Sequence, residues 1–117
     1  MRMWMVDPRI MCRKHLIAEH NECHMFIGAI NKDKKLNGYI KNDCLEPLSI
    51  KSRHDDLVNE MKNRGYNHKT PIEQPNSFPQ LNEDQINHKI NSYRSLNILL
   101  NRCKECCKNF NNLKKNG

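Results

Sequence analysis

Three polar side chains near the start of the chain could support acid–base or nucleophilic chemistry. His15, Glu19 and Glu22 are separated by four and three residues, a spacing that places them on one face of a helix. A chain-terminal α-amine is less basic than a lysine side chain, so more of it is neutral at pH 7. Such an amine beside a carboxylate could form a Schiff base. Because Arg2 is too large for removal of the initiator methionine, we expect Met1 to be retained and to carry this amine.

A second candidate lies near the end of the chain, where Cys103-x-x-Cys106 is followed directly by Cys107. A Cys-x-x-Cys pair can supply two zinc ligands, but a structural zinc site needs four. The sequence has no second Cys-x-x-Cys motif, and Cys12, Cys23 and Cys44 are scattered, so that only the fold could bring them near. Cys103 and Cys107 also fall on an apolar stripe, where thiols serve as small hydrophobic side chains. We therefore favour packing and predict no metal site, with zinc bound by Cys103 and Cys106 as the alternative.

A third candidate is the pair His20 and His24, which are four residues apart and share a helix face as metal-binding histidines do. Glu22 lies about 200° around the helix from His20 at 3.6 residues per turn. It points away from any metal that the histidines could share, which argues against a metalloprotease. We expect both histidines to face solvent or DNA.

The composition limits the classes of protein to which the chain can belong. Its 117 residues suffice for one domain, with a formal net charge of +7 from 20 Lys and Arg against 13 Asp and Glu. No apolar run approaches the roughly 20 residues that cross a bilayer, and no signal peptide is evident. We expect an intracellular protein, in the cytoplasm or nucleoid, whose six cysteines are thiols. The charge favours nucleic acid, an acidic protein or an anionic membrane surface as partner.

Local patterns predict the elements that position these residues. Asp7-Pro8 is typical of a helix start, and a first helix is predicted from there to about Ile30. A second helix is predicted over residues 48–64, ended by Gly65 in a left-handed conformation. Prolines in residues 71–79 predict an irregular connector.

The third predicted helix has the clearest periodicity. Asn82 followed by Gln85 resembles a capping box. Eight apolar residues then recur at intervals of three or four, as on a helical stripe: Ile86, Ile90, Tyr93, Leu96, Leu100, Cys103, Cys107 and Phe110. Alternating strand patterns are absent. We predict an all-α fold, a single compact domain over 1–117 with three principal helices and irregular connectors, in which 111–117 could form a flexible tail.

Two stretches resemble the pyrimidine-dimer DNA glycosylases of the phage endonuclease V type. The first runs from His15 to Glu22 (HLIAEHNE) and continues in FIGAI, residues 26–30; the second is MKNRGYN, residues 61–67. The resemblance covers roughly residues 1–75 and implies a small, basic, all-α enzyme. It implies DNA glycosylase and abasic-site lyase activity on damaged double-stranded DNA, with UV pyrimidine dimers as the expected lesion. No metal or nucleotide cofactor and no membrane partner is implied.

In that family the N-terminal α-amine attacks deoxyribose C1′, displaces the base and forms an imine that permits β-elimination. Alignment without gaps places the nucleophile on Met1 and the catalytic glutamate on Glu22. The same alignment places family DNA contacts on Arg2 and His15, with Asn21 in place of a family arginine. We expect further DNA contacts from the basic residues Arg9, Arg13, Lys14 and Lys69.

The sequence departs from the family at several points. Family enzymes usually expose the amine of a small residue, two of their DNA-contacting arginines align with Asn21 and Met25, and their aromatic C-terminal segment has no counterpart after Phe110. We expect a monomer. Two alternatives remain: a non-catalytic, zinc-stabilised nucleic-acid-binding module, and a family member that binds DNA without cleaving it.

Overall fold

The computed structural model describes residues 1–68 and 70–116, and these residues form an all-α fold. Six helices follow one another: α1 (Arg13–Asn31), α2 (Asn37–Lys41), α3 (Ile50–Asn63), α4 (Glu83–Ile86), α5 (Ser92–Arg102) and α6 (Lys104–Asn116). Two 3₁₀ turns, Pro8–Ile10 and Pro47–Ser49, precede α1 and α3. No strand occurs within the described ranges, which confirms the predicted fold class. None of the described helices is long and apolar enough to span a membrane.

Helices α1 and α3 form the centre of the molecule and pack directly against each other. The buried face of α1 includes Leu16, Cys23 and Phe26, and that of α3 includes Leu57 and Met61. Helix α6 packs against both α5 and the 3₁₀ turn Pro8–Ile10. The C-terminal segment is thereby attached to the start of the chain.

The first helix begins later than the sequence predicts. Asp7 does cap a helical turn, since its side chain accepts the Arg9 backbone N–H at 2.9 Å, but that turn is the 3₁₀ element Pro8–Ile10. Met11 and Cys12 are extended, and Cys12 is the residue that caps α1. Its sulfur accepts the backbone N–H of His15 at 3.4 Å. Thiols are weak acceptors, so cysteine is not among the usual sequence signals for a helix start.

The second helix agrees closely with its prediction. Helix α3 spans Ile50–Asn63, with a 3₁₀ turn before it. Gly65 has φ of +83°, as expected for the left-handed residue that ends a helix.

The third predicted helix is divided into three. Asn82 and Gln85 form the predicted capping box, but α4 ends at Ile86, and Asn91 caps the new helix α5 by accepting the Arg94 N–H. Glu46 accepts the backbone N–H of Ile90 between the two helices, a long-range contact that the stripe does not reveal. Tyr93, a member of the predicted apolar stripe, is 82% exposed.

The second break falls at Cys103. This residue is extended, with φ −127° and ψ 110°, and it separates α5 from α6. Helix α6 then continues to Asn116 through most of the segment predicted as a tail.

A buried ion pair fixes the N-terminal segment to the helices. Arg53 on α3 donates to both carboxylate oxygens of Glu19 on α1, at 2.6 and 2.9 Å, and also to the carbonyl of Val6 at 2.6 Å. Both charged side chains are almost completely buried. The backbone N–H of Met3 donates to the Cys44 carbonyl at 2.7 Å. The N-terminal segment is therefore attached to α3 and to the loop that contains Cys44.

Candidate active site and metal-capable clusters

Met1 and Glu22 line the same groove, which has a volume of about 330 Å³. The N-terminal segment forms one wall, and the first three turns of α1 form the other. The lining residues are Met1, Arg2, Trp4, Lys14, His15, Ala18, Glu22 and Cys44. The groove thus brings together the amine-bearing residue, a carboxylate and three basic side chains from the predicted set.

Glu22 lies half-buried in this groove. Burial raises the pKa of its carboxyl, and the backbone N–H of Arg2, which donates to it, acts in the opposite direction. The positive charge of the chain terminus also lowers this pKa. A carboxyl with a raised pKa beside an amine is suited to proton transfer.

Arg2 and His15 both lie against the ring of Trp4. The Arg2 guanidinium lies over the indole ring, 4.0 Å from its centroid, and the His15 ring meets the indole edge-on at 5.9 Å. Burial lowers the pKa of His15, and the neighbouring Lys14 charge lowers it further. Lys14 itself is exposed on the first turn of α1, where it is accessible to an anion.

Glu19 does not join the groove, although its spacing from His15 and Glu22 placed all three on one helix face. Its carboxylate is fully buried and paired with Arg53. Glu19 therefore stabilises the fold and does not line the groove.

The remaining predicted DNA contacts are distributed over other surfaces. Arg13 and Asn21 line a second groove, together with the loop after α3, and the Arg13 guanidinium lies 4.6 Å from the centroid of the Tyr66 ring. Arg9 is exposed, pairs with Asp7 and borders a largely apolar cavity of about 660 Å³. Lys69 lies outside the described residues.

Among the described residues the fold assembles two clusters of metal-capable side chains, of which the sequence analysis considered only the pairs Cys103/Cys106 and His20/His24. The cysteine cluster consists of Cys12, His15, Cys103 and Cys106; the histidine cluster consists of His20, His24, His54 and His68. Within each cluster the four potential ligand atoms lie within 4.8 Å of one another. Pairing Cys12-x-x-His15 with Cys103-x-x-Cys106 would have been the signal for the first.

The prediction for His20 and His24 is wrong in its expectation of exposure. His20 is buried and His24 half-buried, and both contact the ring of His54 with centroids 4.8 Å apart. The prediction could not include His54 and His68, because they are distant in the sequence.

A family model described as pyrimidine dimer DNA glycosylase matches residues 1–74. The chain belongs to this family. Membership implies a DNA substrate. The match covers the groove residues and the histidine cluster, whereas Cys103 and Cys106 lie beyond it. No curated protein and no solved structure matches the chain significantly.

Proposed function

We propose that this family member excises UV-induced pyrimidine dimers from duplex DNA and then cleaves the strand at the resulting abasic site. Met1 provides the nucleophilic α-amine, and Glu22 is the catalytic carboxylate. The observation that carries the proposal is that both residues line one groove.

The chemistry needs only the groups already described. The amine nitrogen forms a bond to deoxyribose C1′ while the glycosidic bond breaks and its electron pair leaves with the base. Loss of an amine proton and opening of the sugar ring give an imine at C1′. Removal of a C2′ proton then expels the 3′-phosphate by β-elimination. Glu22 stabilises the cationic imine and transfers the protons in these steps.

Positive charge in and around the groove supports DNA as the ligand. Arg2 and Lys14 border the groove that contains Met1, and Arg13 is exposed on the first turn of α1. Each phosphate that such residues neutralise releases counterions, which gives sequence-independent, salt-sensitive affinity. The damaged nucleotide must also leave the base stack, and weakened pairing at a lesion lowers that energy.

Borohydride trapping tests the amine mechanism. The full chain is incubated with UV-irradiated duplex and, separately, with abasic duplex in the presence of borohydride, which reduces an imine to a stable covalent adduct. We expect an adduct on both substrates, with peptide mass analysis placing the DNA on the Met1 nitrogen. Absence of an adduct on both substrates would refute the mechanism, provided that intact mass shows a free amine.

Glu22→Gln tests the carboxylate. We expect base excision to fall by at least 100-fold, in line with the loss of a general acid–base group, with DNA affinity retained. Glu73→Gln is the matched control, because it makes the same change on an exposed side chain outside the groove. If Glu22→Gln cleaves irradiated duplex as fast as Glu73→Gln does, the assignment of Glu22 is wrong.

A further inference from the structure

We propose that Cys12, His15, Cys103 and Cys106 bind a structural zinc ion that fastens α6 to the start of α1. The ligands come in two pairs, Cys-x-x-His at the N-terminus of α1 and Cys-x-x-Cys at the N-terminus of α6. Four protein ligands of this kind form a closed tetrahedral site, which is the arrangement of structural zinc.

The distances within the cysteine cluster agree with tetrahedral coordination. At zinc–sulfur and zinc–nitrogen distances of about 2.3 and 2.0 Å, two sulfurs lie about 3.8 Å apart and a sulfur lies about 3.5 Å from a nitrogen. The Cys103 and Cys12 sulfurs are 3.8 Å apart. The Nδ1 atom of His15 lies 3.1 Å from the Cys12 sulfur and 3.9 Å from the Cys106 sulfur.

Backbone N–H groups point at all three sulfurs. The Cys12 sulfur accepts from His15 at 3.4 Å, the Cys103 sulfur accepts from Cys106 at 3.4 Å, and the Cys106 sulfur accepts from Cys12 at 3.2 Å. Donors of this kind stabilise thiolates and orient metal ligands. The two half-sites therefore have the same local geometry, with the first cysteine extended and its sulfur accepting the N–H three residues later.

Zinc also explains two irregular features of the backbone. The late start of α1, which Cys12 caps, and the break at Cys103 both place a sulfur at the cluster. Cys103 and Cys106 lie beyond the part of the chain that the family model matches, so the site would attach a segment outside that part. His15 would bind zinc through Nδ1, so only its Nε2 atom would be free to contact a ligand in the groove that contains Met1.

Metal analysis of the full chain tests this site. Protein produced with zinc in the medium is analysed for bound metal as wild type, Cys106→Ser and Cys107→Ser. We expect Cys106→Ser to lose about one zinc ion per chain and Cys107→Ser to lose none. Cys107 is the matched control because it neighbours Cys106 on α6 but lies outside the cluster.

A measurement on the wild type tests the zinc site even if Cys106→Ser fails to fold. The cobalt-substituted chain should show thiolate-to-cobalt charge-transfer absorption, and zinc X-ray absorption should show sulfur at about 2.3 Å. Equal zinc content in Cys106→Ser and Cys107→Ser, or a cobalt spectrum without thiolate bands, would overturn the proposal. Either result leaves the Met1 mechanism untouched, because borohydride trapping requires no metal.

The geometry points independently to a second metal site in the histidine cluster, with a closed shell of imidazole ligands that suits zinc. The His24 and His54 Nε2 atoms are 3.2 Å apart, and two nitrogens on a tetrahedral zinc ion lie about 3.3 Å apart. His20 Nε2 and His68 Nε2 are buried and have no hydrogen-bond partner among the described residues.

The outer nitrogens of two rings have the partners that metal-binding histidines usually have. His54 Nδ1 lies 3.0 Å from the Asp55 carboxylate, and His20 Nδ1 lies 3.2 Å from the Asn21 side-chain oxygen. Such contacts set the tautomer that leaves Nε2 free to bind a metal. His20 is 7% exposed and His54 is 1% exposed. A metal ion would satisfy the two orphan nitrogens in an otherwise buried site.

The two sites are distinguished by loading Cys106→Ser with zinc or cobalt. We expect this variant to keep about one metal ion per chain, with a cobalt spectrum that lacks thiolate bands. Adding His24→Gln should remove that ion, whereas adding His88→Gln, a histidine that pairs with Asp43 outside the cluster, should not. A Cys106→Ser chain that binds no metal, or an ion that survives His24→Gln, would overturn the histidine site alone. If the double variant fails to fold, the X-ray absorption of zinc-loaded Cys106→Ser tests the histidine site. Coordination by nitrogen alone supports the site, and any sulfur bound to the zinc overturns it.

Discussion

Replacing Arg53 tests whether the buried ion pair holds the N-terminal segment in place. Arg53→Met removes the positive charge and keeps an apolar side chain of similar length. The Glu19 carboxylate would then remain buried without its bidentate partner, and the Val6 carbonyl would lose a donor. Breaking a buried pair by removing one partner typically costs about 3–5 kcal/mol.

That loss is large for a chain of this size. The free energy of unfolding of a natural domain is about 5–15 kcal/mol, so the substitution would remove a third or more of it in most cases. At roughly 4 °C per kcal/mol, Tm should fall by about 12–20 °C. Urea unfolding followed by circular dichroism, together with a thermal scan, measures both quantities.

Arg9→Met is the matched control. Arg9 also pairs with a carboxylate, that of Asp7, but the two side chains are 62% and 41% exposed. Exposed pairs contribute about 0–1 kcal/mol, so this variant should unfold almost as the wild type does. The double variant Glu19→Met with Arg53→Met should recover much of the loss, because no charge remains buried. If Arg53→Met is no less stable than Arg9→Met, the buried ion pair does not hold the N-terminal segment in place.

Three further predictions concern single residues. Gly65→Ala should reduce the free energy of unfolding by about 1–2 kcal/mol, measured in urea, because φ of +83° is unfavourable for a residue with Cβ; an unchanged value would contradict the left-handed geometry. Lys14→Gln should weaken binding to irradiated and intact duplex equally and lower the slope of log affinity against log salt by about one, measured by fluorescence anisotropy; an unchanged slope would exclude a phosphate contact. The pKa of Glu22 is raised on folding, so its ionisation above the ordinary value of about 4.3 works against the folded state. Glu22→Gln should therefore raise Tm relative to the wild type at pH 7 but not at pH 3, and equal effects at both pH values would refute this.

Local signals in the sequence were sufficient for much of the fold. The all-α class, the glycine that ends α3 and the capping box at Asn82 each depend on residues close together in the chain. Such patterns report backbone hydrogen bonding within one element. The proximity of Met1 to Glu22 was expected from the resemblance, and the groove contains both.

Several features that the sequence did not reveal depend on distant residues. Glu19 pairs with Arg53, 34 positions away, and Cys12 meets Cys103, 91 positions away. A stripe of threes and fours continues unchanged through residue 103, although the backbone there is extended. Helical periodicity records which side of a segment is apolar, and it contains no information on where a long-range contact interrupts the helix.

Several ionisable side chains are buried at the interface between α1 and α3. Glu19 and His20 on α1 and Arg53 and His54 on α3 are all buried. A chain of 117 residues has limited apolar area with which to offset the desolvation of such groups. The ion pair offsets the desolvation of Glu19 and Arg53. A metal ion would offset the desolvation of the histidines, where buried Nε2 atoms have no hydrogen-bond partner among the described residues. Small proteins often bind a structural metal ion when the hydrophobic core alone does not stabilise them sufficiently. On this reasoning, metal removal should loosen the α1–α3 interface that supports the Met1 groove. Hydrogen exchange of both helices before and after chelation measures this, and equal protection in the two states would show that the core suffices by itself.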